Sequence, residues 1–229
     1  VSIGFEPELI VDDYLVENVW AMKITHESVD RRFHQPVKHE ANPVMEGGGY
    51  PNVRRDPESG VFRMWYQVYN PDWREQKDQP KYGVAYAESP DGLHWKKPAL
   101  GLYEWKGSKE NNVCLLRKGH AVAKGGFPVD LPERYKRGYR YVFLCSFPKG
   151  LFLVGSHDGI HMDEANAVHV KHYHSDTLNN MVYDARRDRF LLYCRPRLVY
   201  RGWVDPRDRG ATRRIARMVR HGDPWTMWP

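Results

Sequence analysis

Apolar and polar residues alternate in short runs along this chain, and the runs end in turn residues. Tyr82-Gly83-Val84-Ala85-Tyr86-Ala87 is one such run, and a two-residue period predicts a β-strand. It leads into Ser89-Pro90-Asp91-Gly92-Leu93-His94-Trp95. Asp-Gly marks a turn there, because Gly takes positive φ without steric cost and Asp bonds nearby backbone N–H groups. The same order returns when Leu151-Phe152-Leu153-Val154-Gly155 is followed by Ser156-His157-Asp158-Gly159-Ile160-His161-Met162, with Met in the Trp place. A degenerate third copy, His221-Gly222-Asp223 with Trp225 and Trp228 nearby, follows Ile215–Val219. The three boxes begin 67 and then 65 residues apart.

A second pattern precedes the boxes. Asn52–Tyr66 reads as strand, turn at Asp56–Gly60, strand, and Asn180–Tyr193 repeats it with its turn at Asp184–Asp188. Between them Phe127-Pro128-Val129-Asp130 leads into Arg140–Leu144. In the first unit the strands are expected near 50–55, 62–69, 82–88 and, briefly, His94–Lys97. A meander of about four strands with a period near 65 is longer than the roughly 40–50 residues of common propeller repeats, yet it fits a four-stranded blade with long loops. The fold class expected is therefore all-β: a propeller of four-stranded antiparallel blades, about three of them visible. The divisions are a lead-in over 1–45 and blades over 46–97, 98–162 and 163–229. Three blades do not close a ring, which takes at least four. The expectation is a piece of a longer protein, with closure by self-association as the alternative.

Composition narrows the class only a little. Charged residues are 28% and mean hydropathy is −0.71, and no apolar run approaches the roughly 18 residues that span a membrane. Cys114, Cys145 and Cys194 form no Cys-x-x-Cys pair, and no disulfide framework is expected; Cys145 and Cys194 lie in apolar strand-like runs. The aromatic complement, 8 Trp, 14 Tyr and 8 Phe, suits β-structure and also clefts where rings stack on sugar C–H surfaces. The net charge of +6 is uneven: nine Arg against two Asp lie between Arg195 and Arg220. That bias is read as a solvated surface or interface before an anion site. No nucleic-acid module accompanies it.

With both patterns placed, the chain resembles the five-bladed propeller proteins related to glycoside hydrolase families 32, 43 and 68, and most of all the bacterial group described as glycosyl hydrolase family 32 N-terminal-like. The residues that carry the likeness are Val11-Asp12-Asp13-Tyr14-Leu15, His39 through Asn42-Pro43-Val44, Phe62-Arg63-Met64-Trp65-Tyr66, the box from Ser89 to Trp95, and Ser175-Asp176-Thr177-Leu178-Asn179-Asn180. The boxes also resemble the Asp boxes of sialidases, which are structural turns. The resemblance implies a funnel at one end of the propeller axis, with carboxylates at the starts of innermost strands. Crowded carboxylates shift each other's pKa, so that one stays protonated while another acts as base or nucleophile, and glycosidic cleavage needs such a pair.

On that basis the expected acids are Asp176 and Glu46, which stand just before the inner strands of two blades, whereas Asp56, Asp184 and Asp130 read as turn residues. The 98–162 blade shows no acid at its inner start, a departure from the three-acid pattern of families 32 and 43. Substrate contacts are expected from Trp73 by stacking, from His120, His174 and Asn180, and from Arg195 and Arg197 by bidentate bonds to an anionic group. His172-Tyr173-His174 invites a metal reading, but alternate histidines share a strand face without one; no metal and no cofactor are expected. The partner expected is an oligo- or polysaccharide, including an anionic one, with no nucleic acid or membrane; a periplasmic or secreted place is favoured. The activity is cleavage of a glycosidic bond, with a non-catalytic module binding glycan or protein as the alternative.

Overall fold

Eleven strands in three antiparallel sheets make up the described fold. The computed structural model describes residues 35–74, 80–116, 126–147, 149–172, 175, 178–194 and 215–228. The chain divides into two units, 1–42 and 43–229. In the first, the described residues form a turn in which the Asn42 N–H donates to the His39 carbonyl at 3.0 Å. The second holds the eleven described strands.

Sheet one runs β1 (Gly49–Arg55), β2 (Phe62–Tyr69), β3 (Tyr82–Ser89), β4 (Val113–Leu115) in that spatial order. Sheet two follows as β5 (Phe127–Pro128), β6 (Tyr141–Phe147), β7 (Gly150–Ser156), β8 (Asp163–Lys171). Sheet three is a three-stranded meander, β9 (Asn180–Asp184), β10 (Arg189–Cys194), β11 (Ala216–His221). The predicted first three strands fall where alternation placed them. The fourth does not. Lys96 makes only an isolated bridge to Glu88, and the strand that completes sheet one is Val113–Leu115. These residues are fully apolar and buried, whereas His94–Lys97 carries three basic side chains. Each complete sheet thus has its box between the third and fourth strands.

Alternation decides which face each residue serves. On β6, Tyr141, Phe143 and Cys145 face sheet one, while Val142 and Leu144 face sheet three. On β2, Trp65 joins the first of these interfaces, while Met64 and Tyr66 point the other way. One interface therefore packs Trp65, Val84 and Tyr86 against Phe143, Cys145 and Val154, with Trp65 5.5 Å from the Tyr141 ring and 5.6 Å from Phe143. The next packs Val142, Leu144, Leu151 and Leu153 against Met181, Phe190 and Leu192. β6 and β7 are buried on both faces, which is why they read as nearly continuous apolar runs.

The boxes are built alike. In each, the Ser hydroxyl oxygen accepts the Gly N–H (2.8 Å at Gly92, 2.9 Å at Gly159). The Asp Oδ1 accepts the next two N–H groups, at 2.8 Å in all four cases. The His Nδ1 lies 2.6 Å from the Asp Oδ2 in both. Gly92 and Gly159 have φ of 81° and 82°, the left-handed conformation that makes glycine the residue of choice. All three cysteines are buried thiols, and burial pushes Cys114 up to about 12.

Candidate functional site

The ends of β2 and β3 and the start of their connection bring three aromatic rings together, Tyr69 exposed and Trp73 and Tyr82 half-buried. Tyr69 ends β2 and Tyr82 begins β3; they pair across the sheet, with ring centroids 5.5 Å apart. The fully buried Asn70 opens the connection, accepting the Asp72 N–H on Oδ1 at 3.1 Å while its own N–H donates to the Lys81 carbonyl at 2.9 Å. This Asx turn folds Trp73 back over the strand ends. The Lys81 ammonium then lies 4.9 Å from the Trp73 ring centroid, 5.1 Å from Tyr82 and 5.9 Å from Tyr69. The Arg74 guanidinium is 5.5 Å from Trp73. Cations over ring faces are attracted by the quadrupole. Tyr69 nonetheless keeps 49% of its surface open. The result is three aromatic rings and two cations at one end of sheet one, able to stack on an apolar ring face and to bond hydroxyl or anionic oxygens.

Of the residues expected from sequence, Trp73 belongs to this cluster. Its companions are Tyr69, Lys81 and Tyr82; the signal available in sequence was the symmetry of Tyr69 and Tyr82 about the loop, as the last and first residues of paired strands, with Lys81 just before β3. Glu46 is exposed, and its backbone carbonyl accepts from the Lys97 ammonium at 2.7 Å. Its neighbours Met45 and Gly47–Gly49 line an apolar groove on the outer face of sheet one. Asn180 opens β9 and pairs with Tyr193. Asp176, His120, His174, Arg195 and Arg197 lie outside the described residues. His172 packs edge-on against His169 with centroids 4.5 Å apart, and His169 stacks on Phe152 at 4.4 Å.

The expected turn acids have tight partners. Asp56, almost fully buried, accepts the Ser59 and Glu58 N–H groups at 3.1 Å and the Arg140 guanidinium at 2.8 Å. The Ser59 N–H is the largest influence, burial opposes it, and Arg140 and Arg63 assist, holding the carboxyl at about 2. Asp184 accepts from Arg189 at 3.0 Å, which lowers it. Asp130 pairs with Arg54 at 2.6 Å. Near these, a polar cavity of about 640 Å³ opens between the first turn of sheet one and the strand connection of sheet two, lined by Arg54, Asp130, Tyr139, Arg140 and His157 among others.

No known family profile matches the chain. It is similar to two uncharacterized proteins of Mycobacterium tuberculosis, Rv1502 of strain H37Rv (31% identical over 150 residues) and MT1551 of strain CDC 1551 (30% over 152). Each match covers 63% of this chain and 45% of the relative, so the chain spans about half the length of the curated relatives it matches. Among solved structures it is similar to an N-acetylgalactosamine deacetylase from F. plautii in complex with blood group B trisaccharide. That match is 12% identical, covers 78% of this chain and 50% of the other, and has a TM-score of 0.44.

Proposed function

We propose that this chain is part of a β-propeller that acts on carbohydrate, cleaving a glycosidic bond as the glycoside hydrolase-like propellers do. The observation that carries the reading is the Tyr69–Trp73–Tyr82 cluster around Lys81. It sits at one end of a sheet within a sequential stack of meanders, each bearing the box after its third strand. In this reading the sheets are blades, and the cluster holds a sugar at the rim by stacking, with Lys81 and Arg74 toward hydroxyl or carboxylate oxygens. Asp176 supplies the acid at the start of an inner strand and Glu46 is the second carboxylate. His120, His174, Asn180, Arg195 and Arg197 complete the substrate contacts.

The test is a panel of neutral and uronate-containing oligosaccharides, assayed both for binding and for new reducing ends. Trp73→Ala is expected to weaken binding about tenfold or more, in line with the ~1–3 kcal/mol typical of a stacked or desolvated aromatic contact. Asp176→Asn is expected to abolish cleavage while leaving binding intact. Binding without cleavage by the unaltered chain would instead support a glycan-binding module. No binding to any member of the panel would remove the carbohydrate reading.

A further inference from the structure

The start of β1 holds an aromatic residue in a backbone conformation that its side chain disfavours. Among the described residues, four other than glycine have a left-handed backbone: Tyr50, Lys106, Arg137 and Asp188. The last three lie in turns, whereas Tyr50, with φ of 49°, lies inside a strand. For a bulky residue that conformation is strained. The register shows how it is imposed. Gly49 pairs with Gln67 and Asn52 with Trp65, so β1 advances three residues where β2 advances two. The extra residue makes a β-bulge, a device that re-aims a side chain. Upstream, Gly47 and Gly48 are left-handed, and a Cβ on Gly48 would lie 2.3 Å from the Tyr66 ring. The Lys97 ammonium ties down the Glu46 carbonyl at 2.7 Å.

The backbone is thus fixed from both sides, and the Tyr50 side chain takes no part in fixing it. The residue is 61% exposed, and among the described residues no hydrogen bond or ring contact holds its side chain. This exposure is separate from the bare outer face of sheet one. Pro51 and Val53 line the apolar groove on that face; Tyr50 and Asn52, which alternate with them, do not. Asn52 pairs with Trp65, which packs toward sheet two, and alternation along β2 puts Tyr69 on that same side. Tyr50 also stands near the end of the sheet that bears Tyr69. Its neighbour Gly49 pairs with Gln67, two residues short of Tyr69, or roughly 7 Å along the strand. Sheet three repeats the placement. Asn52 and Asp56 recur at the same spacing as Asn180 and Asp184, which gives Leu178 the place of Tyr50, and Leu178 is 46% exposed.

We propose that Tyr50 is a further sugar-binding residue, its ring stacking on the unit next to the one carried by the Tyr69–Trp73–Tyr82 cluster. This rests on the carbohydrate reading above and deepens it: the ligand is a glycan of at least two units, with an apolar ring face turned to Tyr50. Stability alone would place glycine or asparagine at this position. An aromatic ring kept there under strain and left uncovered has a binding role.

The test sets stability against affinity, with neutral and uronate-containing trisaccharides as probes. Tyr50→Gly relieves the backbone and removes the ring. It is expected to raise the melting temperature by about 2–4 °C and to weaken trisaccharide binding about tenfold. A purely structural residue does not move these two readouts in opposite directions. Tyr50→Phe keeps the ring and is expected to bind as the unaltered chain does. Should Tyr50→Gly fail to fold, Tyr50→Asn serves in its place, because Asn tolerates the left-handed conformation. Binding that Trp73→Ala weakens and Tyr50→Gly leaves unchanged overturns this inference alone. So does a Tyr50→Gly chain that melts below the unaltered one, since the ring would then be holding the fold. An unaltered chain that binds neither trisaccharide removes the carbohydrate reading and this inference together.

Discussion

Box one and box two are nearly superimposable in their hydrogen bonds and differ in what they touch. The carbonyl of Gly159 receives Trp65 from the neighbouring sheet; among the described residues that of Gly92 receives Trp95 of its own box, at 2.9 Å. Around Gly159 an added Cβ would lie 2.8 Å from the Trp65 ring, while around Gly92 nothing lies within 4 Å. The turn is therefore a local product of Ser, Asp and Gly at fixed spacing, whereas its service as a socket depends on the sheet beside it. A motif recurring in sequence fixes a shape; the neighbour gives that shape a task.

The largest contrast is expected from the two indoles. Trp65 is fully buried and Trp95 only partly so. Trp65→Ala should cost about 3–5 kcal/mol, the usual range for a core aromatic, and it also strands the Gly159 carbonyl. Trp95→Ala should cost clearly less. Urea unfolding midpoints read both, and equal losses would mean that the two boxes are equally engaged.

The glycines sharpen the same point at smaller scale. Gly92→Ala pays only for a left-handed backbone, about 1–2 kcal/mol. Gly159→Ala pays that and pushes on Trp65, so it should exceed Gly92→Ala by about 1–3 kcal/mol, as overpacking does. Thermal unfolding of the pair is the measurement.

The smallest difference is expected on acidification. Hydrogen bonds from the His94 N–H and imidazole lower Asp91 strongly. Burial pushes Asp158 up, but the His161 imidazole and N–H outweigh it and hold the carboxyl at about 2. A carboxyl depressed in the folded state stabilises above its unfolded value near 4, and that contribution drains away as pH falls toward 2. Stability should therefore be level from neutral pH to about 4 and then decline. Asp91→Asn and Asp158→Asn should each flatten part of that decline to a similar degree, because the bonds that lower them are local to each box. A decline beginning near pH 6 would point to other groups.

Much of this was legible in the chain. Period-two runs placed β1–β3, β6, β7, β9 and β10, because strands buried on one or both faces leave a compositional trace. The boxes announced their own turns. Sequence missed β4, since the three residues Val113–Leu115 sit far beyond the box and only packing against β3 makes them a strand. It placed Trp73 in a loop but did not foresee Tyr69, Lys81 and Tyr82 around it. That cage exists only because the Asn70 turn returns the loop onto the strand ends, a contact that no linear pattern encodes.

Burial of β6 and β7 on both faces has a dynamic consequence. In a linear stack each layer is held by its neighbours, and stability is shared along one dimension. Sheet two has two such neighbours; sheets one and three each have one within the stack. Spontaneous openings of the native state should thus begin at the outer layers and travel inward, leaving the amides of Val142–Phe147 and Leu151–Val154 as the last to trade hydrogen for deuterium.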